Sequence, residues 1–230
     1  MTDVTGRRYD LLIFDWDGTL MDSASEIVAT MQKAIQETGL PERSPDQLRD
    51  LIGLGLEETI DRLFPHLDPQ RVRQWLSQYR QRYLSPSSRA PLFARTQETL
   101  SRLRADGYEL AVATGKGRRG LDRALVRTAT AHYFSCTRCA DEAASKPAPD
   151  MVDDILVRTA TVPDRALVIG DTEYDMLMAG NAGVDALGVA CGVHAPARLL
   201  ATGACAILDS VAALPAWLAQ APDTVEALSR

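Results

Sequence analysis

Residues 9–23 read Y-D-L-L-I-F-D-W-D-G-T-L-M-D-S. Leu11 to Phe14 form an apolar run of the kind that makes a strand buried on both faces. The run stops on two acids, Asp15 and Asp17, followed by Gly18 and Thr19. Open α/β sheets bind ligands beyond the carboxyl ends of their strands, so these acids stand where a site is expected. Strand alternation puts Asp15 and Asp17 on the same side. Two carboxylates that close repel each other, so one holds a proton or a cation lies between them. Mg²⁺, which prefers oxygen ligands, fits the second case; an acid with a raised pKa fits the first. A D-G hairpin turn is the alternative, but a helical pattern, not an alternating strand, follows Gly18.

That pattern runs through Ile27, Val28, Met31 and Ile35 to Gly39, spacing that predicts an amphipathic helix. Further helices are expected over 46–52, 56–64 and 68–84, with a break at Gly53-Leu54-Gly55 and a connector over 85–91 (S-P-S-S-R-A-P). After Pro91, strands are expected at 109–113, 133–139, 166–169, 185–189 and 205–208. Helices alternate with them over 96–105, 118–130, 149–160, 173–182, 195–201 and 211–219. Such alternation means right-handed crossovers and a mostly parallel, doubly wound, Rossmann-like α/β sheet. The expected division is a core of residues 1–22 and 90–230 with an all-helical insert over 23–89.

The bulk numbers restrict the function. A chain of 230 residues, 46% apolar and 24% charged, supports a large core. A net charge of −6 disfavours the nucleic-acid backbone as a partner. No apolar stretch is long enough to span a bilayer, and no signal-peptide run opens the chain. Four cysteines do not make a disulfide framework, so a cytoplasmic setting is expected.

Three more expected strands end on polar groups. The strand at 109–113 ends on Thr114-Gly115, whose hydroxyl and amides can donate to an anion, although Thr114 also suits a helix cap. Lys146 precedes Pro147-Ala148-Pro149, a stiff loop that fixes the direction of its ammonium; alone it would read as a solvated lysine. The strand at 166–169 ends on Gly170-Asp171-Thr172, with Asp175 four residues beyond Asp171. These two acids suit a cation, or equally a helix cap and a first-turn acid.

D-W-D-G-T at 15–19, T-G at 114–115, K-P at 146–147 and G-D-x-x-x-D at 170–175, in this order, resemble the four motifs of the haloacid dehalogenase-like superfamily. The helical insert resembles the C1-type cap, and the phosphoglycolate phosphatase-like branch is the most similar. The resemblance implies a Mg²⁺-dependent phosphomonoester hydrolase acting through an aspartyl-phosphate. Asp15 would be the nucleophile and Asp17 the general acid–base. Asp15, the Asp17 backbone carbonyl and Asp171 would hold the metal, supported by Asp175. Thr114 and Gly115 would bind phosphoryl oxygens, and Lys146 would neutralise charge. Gly53 and Gly55 would belong to a cap loop that helps choose the substrate, although a plain interhelical turn is the other reading; Arg49 lies nearby. The expected partner is a small phosphorylated metabolite, phosphoglycolate first, with the protein a monomer or homodimer.

Ile27 stands where the β-phosphoglucomutase branch has a histidine, which leaves mutase chemistry as an alternative. Lys33, the cap's lysine, sits mid-helix and reads as solvated rather than as a Schiff base. From a different class, Gly115-Lys116-Gly117-Arg118-Arg119-Gly120 matches the G-x-G-x-x-G of a dinucleotide-dependent oxidoreductase, with Asp141 about twenty residues on. That reading leaves Asp15, Asp17 and Asp171 unexplained. Cys136 and Cys139 form a lone C-x-x-C, read as incidental thiols before a redox pair.

Overall fold

A computed structural model of the chain describes residues 7–84 and 90–220. Six parallel strands, β1 (Leu11–Phe14), β2 (Glu109–Thr114), β3 (Cys136–Cys139), β4 (Ala166–Gly170), β5 (Asp185–Val189) and β6 (Ala204–Leu208), lie in the order β3-β2-β1-β4-β5-β6. Leu12 pairs with Leu110 on one side and Leu167 on the other. The chain leaves β1 for β2 and β3, then crosses back to β4. The order therefore reverses beside β1, the position where such sheets open a crevice for ligands.

Alternate strand residues serve opposite faces. Leu12, Phe14, Leu110 and Val112 pack under α5 (Thr96–Ala105), α6 (Arg118–Thr128) and α10 (Leu214–Leu218). Leu11, Ile13, Ala111 and Val168 pack under α7 (Asp150–Thr159), α8 (Glu173–Asn181) and α9 (Pro196–Ala201). The apolar run 11–14 is thus buried on both faces because helices cover both.

Between β1 and α5 come α1 (Ala24–Glu37), α2 (Pro45–Arg49), α3 (Leu56–Leu63) and α4 (Pro69–Tyr83). They enclose a core of their own, built on Ile27, Met31, Leu48, Ile60, Trp75 and Tyr79, which Tyr174 of α8 joins from below. The second helix is shorter than the 46–52 pattern suggests. Ser44 and Gln47 close a capping box around its start, but the chain turns at residues 50–54 and reaches Gly53 with φ +103°, open to glycine without strain. The third strand begins at Cys136 because residues 131–133 form a 3₁₀ turn, and further such turns at 163–165 and 211–213 precede β4 and α10. Residues 85–89 of the expected connector lie outside the described residues.

Candidate active site

The polar strand ends meet at the switch point. Asp15 extends the β1 ladder, its N–H donating to the Ile169 carbonyl (2.9 Å), and its side chain is buried. Lys146 Nζ donates to Asp15 Oδ1 (2.7 Å) and Asp175 Oδ1 (2.6 Å), with all three groups out of solvent. The lysine is therefore not solvated; its ammonium is the hub of the site. Burial alone would lower its pKa, but Asp15 and Asp175 outweigh that and raise it. Asp171 accepts from the Thr19 hydroxyl (2.7 Å) and the Val193 N–H (2.9 Å). Asp175 Oδ2 accepts from Thr172 N (3.0 Å) and Thr172 Oγ1 (2.7 Å), so it also caps α8.

Asp15, Asp171 and Asp175 each present a carboxylate oxygen, all within 4.8 Å of one another. Burial pushes Asp15 up to about 7, Lys146 pulling against it and Asp175 adding to it. Burial, with Asp15 and Asp175 adding, raises Asp171 well above the ordinary carboxylate range. The Lys146 ammonium pairs with two of the three buried acids, and Asp15 Oδ2 has no hydrogen-bond partner. An orphaned carboxylate oxygen beside surplus negative charge fits a hard divalent cation with oxygen ligands.

The Asp17 carboxylate does not join this cluster, contrary to the strand-alternation expectation. The β-strand ends at Phe14, and residues 16–21 make a tight loop in which Leu20 and Met21 N–H groups donate to the Trp16 carbonyl. Asp17 is thereby aimed toward the cavity, where Lys116 Nζ lies 2.8 Å from Oδ2 and the Ser23 hydroxyl donates to Oδ1 (2.6 Å). Lys116 also meets the Tyr83 hydroxyl and lies over the Tyr83 ring.

Two glycines make room for Asp171. A Cβ on Gly18 would lie 2.2 Å from Asp171 Oδ2 and one on Gly192 2.1 Å from it. Gly18 also holds φ +90°. The loop after β5, residues 192–194, was not singled out from sequence, because a backbone donor such as Val193 N–H has no side-chain signature.

Thr114 and Gly115 line the same cavity as Asp15 and Asp17. Thr114 Oγ1 accepts from Lys116 N (3.2 Å) and closes the turn, while Gly117 takes the N-cap of α6. Gly53 and Gly55 lie directly over the strand tips. A Cβ on Gly115 would lie 2.3 Å from the Gly53 carbonyl, and Gly55 N donates to Ser145 Oγ (2.8 Å), one residue from Lys146. Arg49 is not among the residues lining this cavity, and Lys33 is exposed. Cys136 and Cys139 sit against opposite faces of the sheet, which separates them as a redox pair. Burial pushes the Cys139 thiol up to about 12.

These features define a class: an open parallel α/β sheet whose switch point gathers acids and a lysine beneath a helical layer. The chain belongs to the haloacid dehalogenase-like hydrolases, whose family model matches residues 12–189. It is 33% identical over 206 residues to "Probable phosphatase IndB" of Dickeya dadantii, covering 87% of this chain and 89% of that protein. It is 29% identical over 175 residues to the phosphoglycolate phosphatase of Aquifex aeolicus, covering 75% and 81%. Among solved structures, a haloacid dehalogenase-like family protein from Streptococcus pneumoniae superposes with TM-score 0.80 at 25% identity, over 91% of this chain and 98% of that one. A hydrolase from Pseudomonas syringae gives 0.84 at 21% identity, over 93% and 98%. No helix among the described residues is long and apolar enough to cross a membrane.

Proposed function

We propose that this protein is a Mg²⁺-dependent phosphomonoester hydrolase that works through an aspartyl-phosphate on Asp15. One observation carries the reading: a buried Lys146 ammonium bonded to both Asp15 and Asp175, beside an unpartnered Asp15 oxygen at the wall of a cavity. Lys146 fixes the Asp15 carboxylate, so the nucleophile reaches the phosphorus already oriented. An Asp15 oxygen bonds to phosphorus as the ester oxygen leaves, and Asp17 gives that oxygen a proton. Asp17 then takes a proton from water, whose oxygen attacks the same phosphorus and frees Asp15. Ser23 donates to Asp17 and Lys116 pairs with it, which holds the carboxylate in place to take the proton from water. Thr114 and the amides after it face the phosphoryl oxygens.

Asp15, Asp171 and the Asp17 backbone carbonyl would hold the metal, with Asp175 and Lys146 fixing Asp15 and the charge around it. Bound there, Mg²⁺ supplies positive charge to the phosphoryl oxygens. Residues 23–89 act as a cap whose loop at Gly53–Gly55 closes over the strand tips and admits a small metabolite but no polymer. The relatives named for phosphoglycolate make that ester the reference substrate. Ile27 lines the cavity where a mutase-like site would place histidine, which favours hydrolysis over transfer to a second sugar position. The test is turnover of a generic aryl phosphate with Mg²⁺. Asp15→Asn abolishes it and Asp17→Asn loses about a hundredfold. An Asp15→Asn variant with near-wild-type turnover removes the nucleophile assignment.

A further inference from the structure

The cavity above Asp15 has a volume of about 160 Å³, and the part formed by α1–α4 and their loops is apolar apart from Glu57 and Arg80. Ile27 and Met31 enter it from one face of α1, Leu54 and Leu56 from the loop before α3, and Tyr79 and Tyr83 from α4. The two tyrosine rings are stacked, 5.5 Å between centroids and 9° between planes, and Trp75 continues the stack at 5.4 Å. Such a wall is stiff, and the Lys116 ammonium lies over the Tyr83 ring at its end. An apolar cavity of about 150 Å³ is large enough to hold a benzene ring.

The charged groups around the cavity are already engaged with one another. Lys116 is spent on Asp17 and Tyr83. Arg80 lies 2.6 Å from Glu57. Asp141 accepts from the Arg118 N–H at 2.9 Å. Arg80 thus balances Glu57 within the lining, Asp141 adds negative charge, and Arg119 stands exposed at the start of α6. A carboxylate on the leaving group would meet a mostly apolar wall whose buried cation, Lys116, is already paired with Asp17, an unfavourable burial.

We propose that the ester hydrolysed here carries a compact apolar alcohol, up to about the size of a phenyl ring, and not the carboxylate of phosphoglycolate. The proposal rests on the phosphatase reading of Asp15 and adds the class of leaving group. The stacked tyrosines and the Leu54 loop bind that group, which seats the phosphoryl group over Asp15.

The experiment compares benzyl phosphate with phosphoglycolate on the whole protein with Mg²⁺. Both release an unactivated primary alcohol, so the comparison reads the pocket and not the leaving ability. Benzyl phosphate is expected to show at least about tenfold higher kcat/KM, the scale of discrimination a hydrophobic pocket reaches. Leu54→Ala is expected to raise KM about tenfold for benzyl phosphate and by a smaller factor for phosphoglycolate. Arg119→Ala should leave KM for phosphoglycolate within about twofold as well. Phosphoglycolate turned over as well as benzyl phosphate, or a tenfold KM rise for it in Arg119→Ala, overturns the inference and leaves the phosphatase reading standing. No Mg²⁺-dependent hydrolysis of any ester, generic aryl phosphate included, overturns both.

Discussion

Lys116 Nζ lies 2.8 Å from Asp17 Oδ2, and both side chains are buried. The lysine comes from the turn after β2 and the acid from the loop after β1, so the contact ties two strand ends together. Tyr83 of α4 approaches the same ammonium. Lys116→Met leaves Asp17 with Ser23 as its remaining hydrogen-bond partner. Breaking a buried pair from one side costs about 3–5 kcal/mol, to be read from urea unfolding. Turnover should fall at least about tenfold, through kcat more than KM, because the acid loses its orientation and not the substrate its pocket. Lys116→Arg, which keeps the charge, should recover part of both. Unchanged kcat in Lys116→Met would mean that Ser23 alone positions Asp17.

Gly192 is a second point where backbone geometry serves the acids. It needs no left-handed φ, so Gly192→Ala acts by volume: its Cβ would lie 2.1 Å from Asp171 Oδ2 and displace the carboxylate. The concentration of Mg²⁺ for half-maximal activity should rise about 10–100-fold, as when residues that orient a metal ligand are changed. Gly18→Ala should be worse, since its φ of +90° adds backbone strain to the same clash. A magnesium titration of turnover decides the point. An unshifted curve for Gly192→Ala separates Asp171 from the metal.

Asp15, Thr114 and Asp171 were legible in the sequence because each follows an apolar run, and parallel strands bring such ends together. Lys146 was legible only through its place in the order of motifs and its flanking prolines; its burial between two carboxylates could not be read from residues that follow no strand directly. Lys116 was absorbed into a glycine pattern. A lysine immediately after a Thr-Gly strand end was the available signal for it. The Asp17 carboxylate was assigned the wrong neighbours because strand alternation was carried three residues past the end of the strand. The topology was readable from periodicity, but the short 3₁₀ turns and the early end of α2 were not, since capping and turns there override the helical pattern.

His194 joins the turn at Asp50 to the start of α8 and carries a pH dependence. Its Nδ1 accepts from the Glu173 N–H (3.0 Å), while Nε2 lies 3.2 Å from the Asp50 carbonyl. A neutral ring with its proton on Nε2 satisfies both contacts; a second proton would face the Glu173 N–H. Burial lowers the His194 pKa; the Asp50 carbonyl opposes this and the Arg198 cation adds to it. With the folded value depressed, stability is fully present above the unfolded value of about 6.5. It is lost as pH falls below that value, because the unfolded chain takes up the proton first. Urea midpoints of wild type and His194→Gln should therefore converge between pH 7.5 and a pH about one unit below 6.5. Parallel curves would show that His194 does not contribute to the pH dependence of stability.

The acid cluster makes a prediction that does not depend on turnover. Asp15, Asp171 and Asp175 crowd within 4.8 Å of one another, and Lys146 pairs with Asp15 and Asp175 but not with Asp171, so the metal-free site is short of positive charge. A divalent cation that binds the folded state alone stabilises it by about 2.7 kcal/mol at a hundred times its Kd. Mg²⁺ should raise the urea midpoint, with NaCl at equal ionic strength as the control, and a chelator should reverse the gain. Asp171→Asn separates charge from ligation. Burial first, and the Asp15 and Asp175 charges after it, disfavour a charged Asp171, so without metal a neutral amide there should be no less stable than wild type. It should nevertheless lose most of the response to Mg²⁺, because a neutral amide replaces a charged ligand. A variant that still gains the full increment would place the cation elsewhere in the molecule.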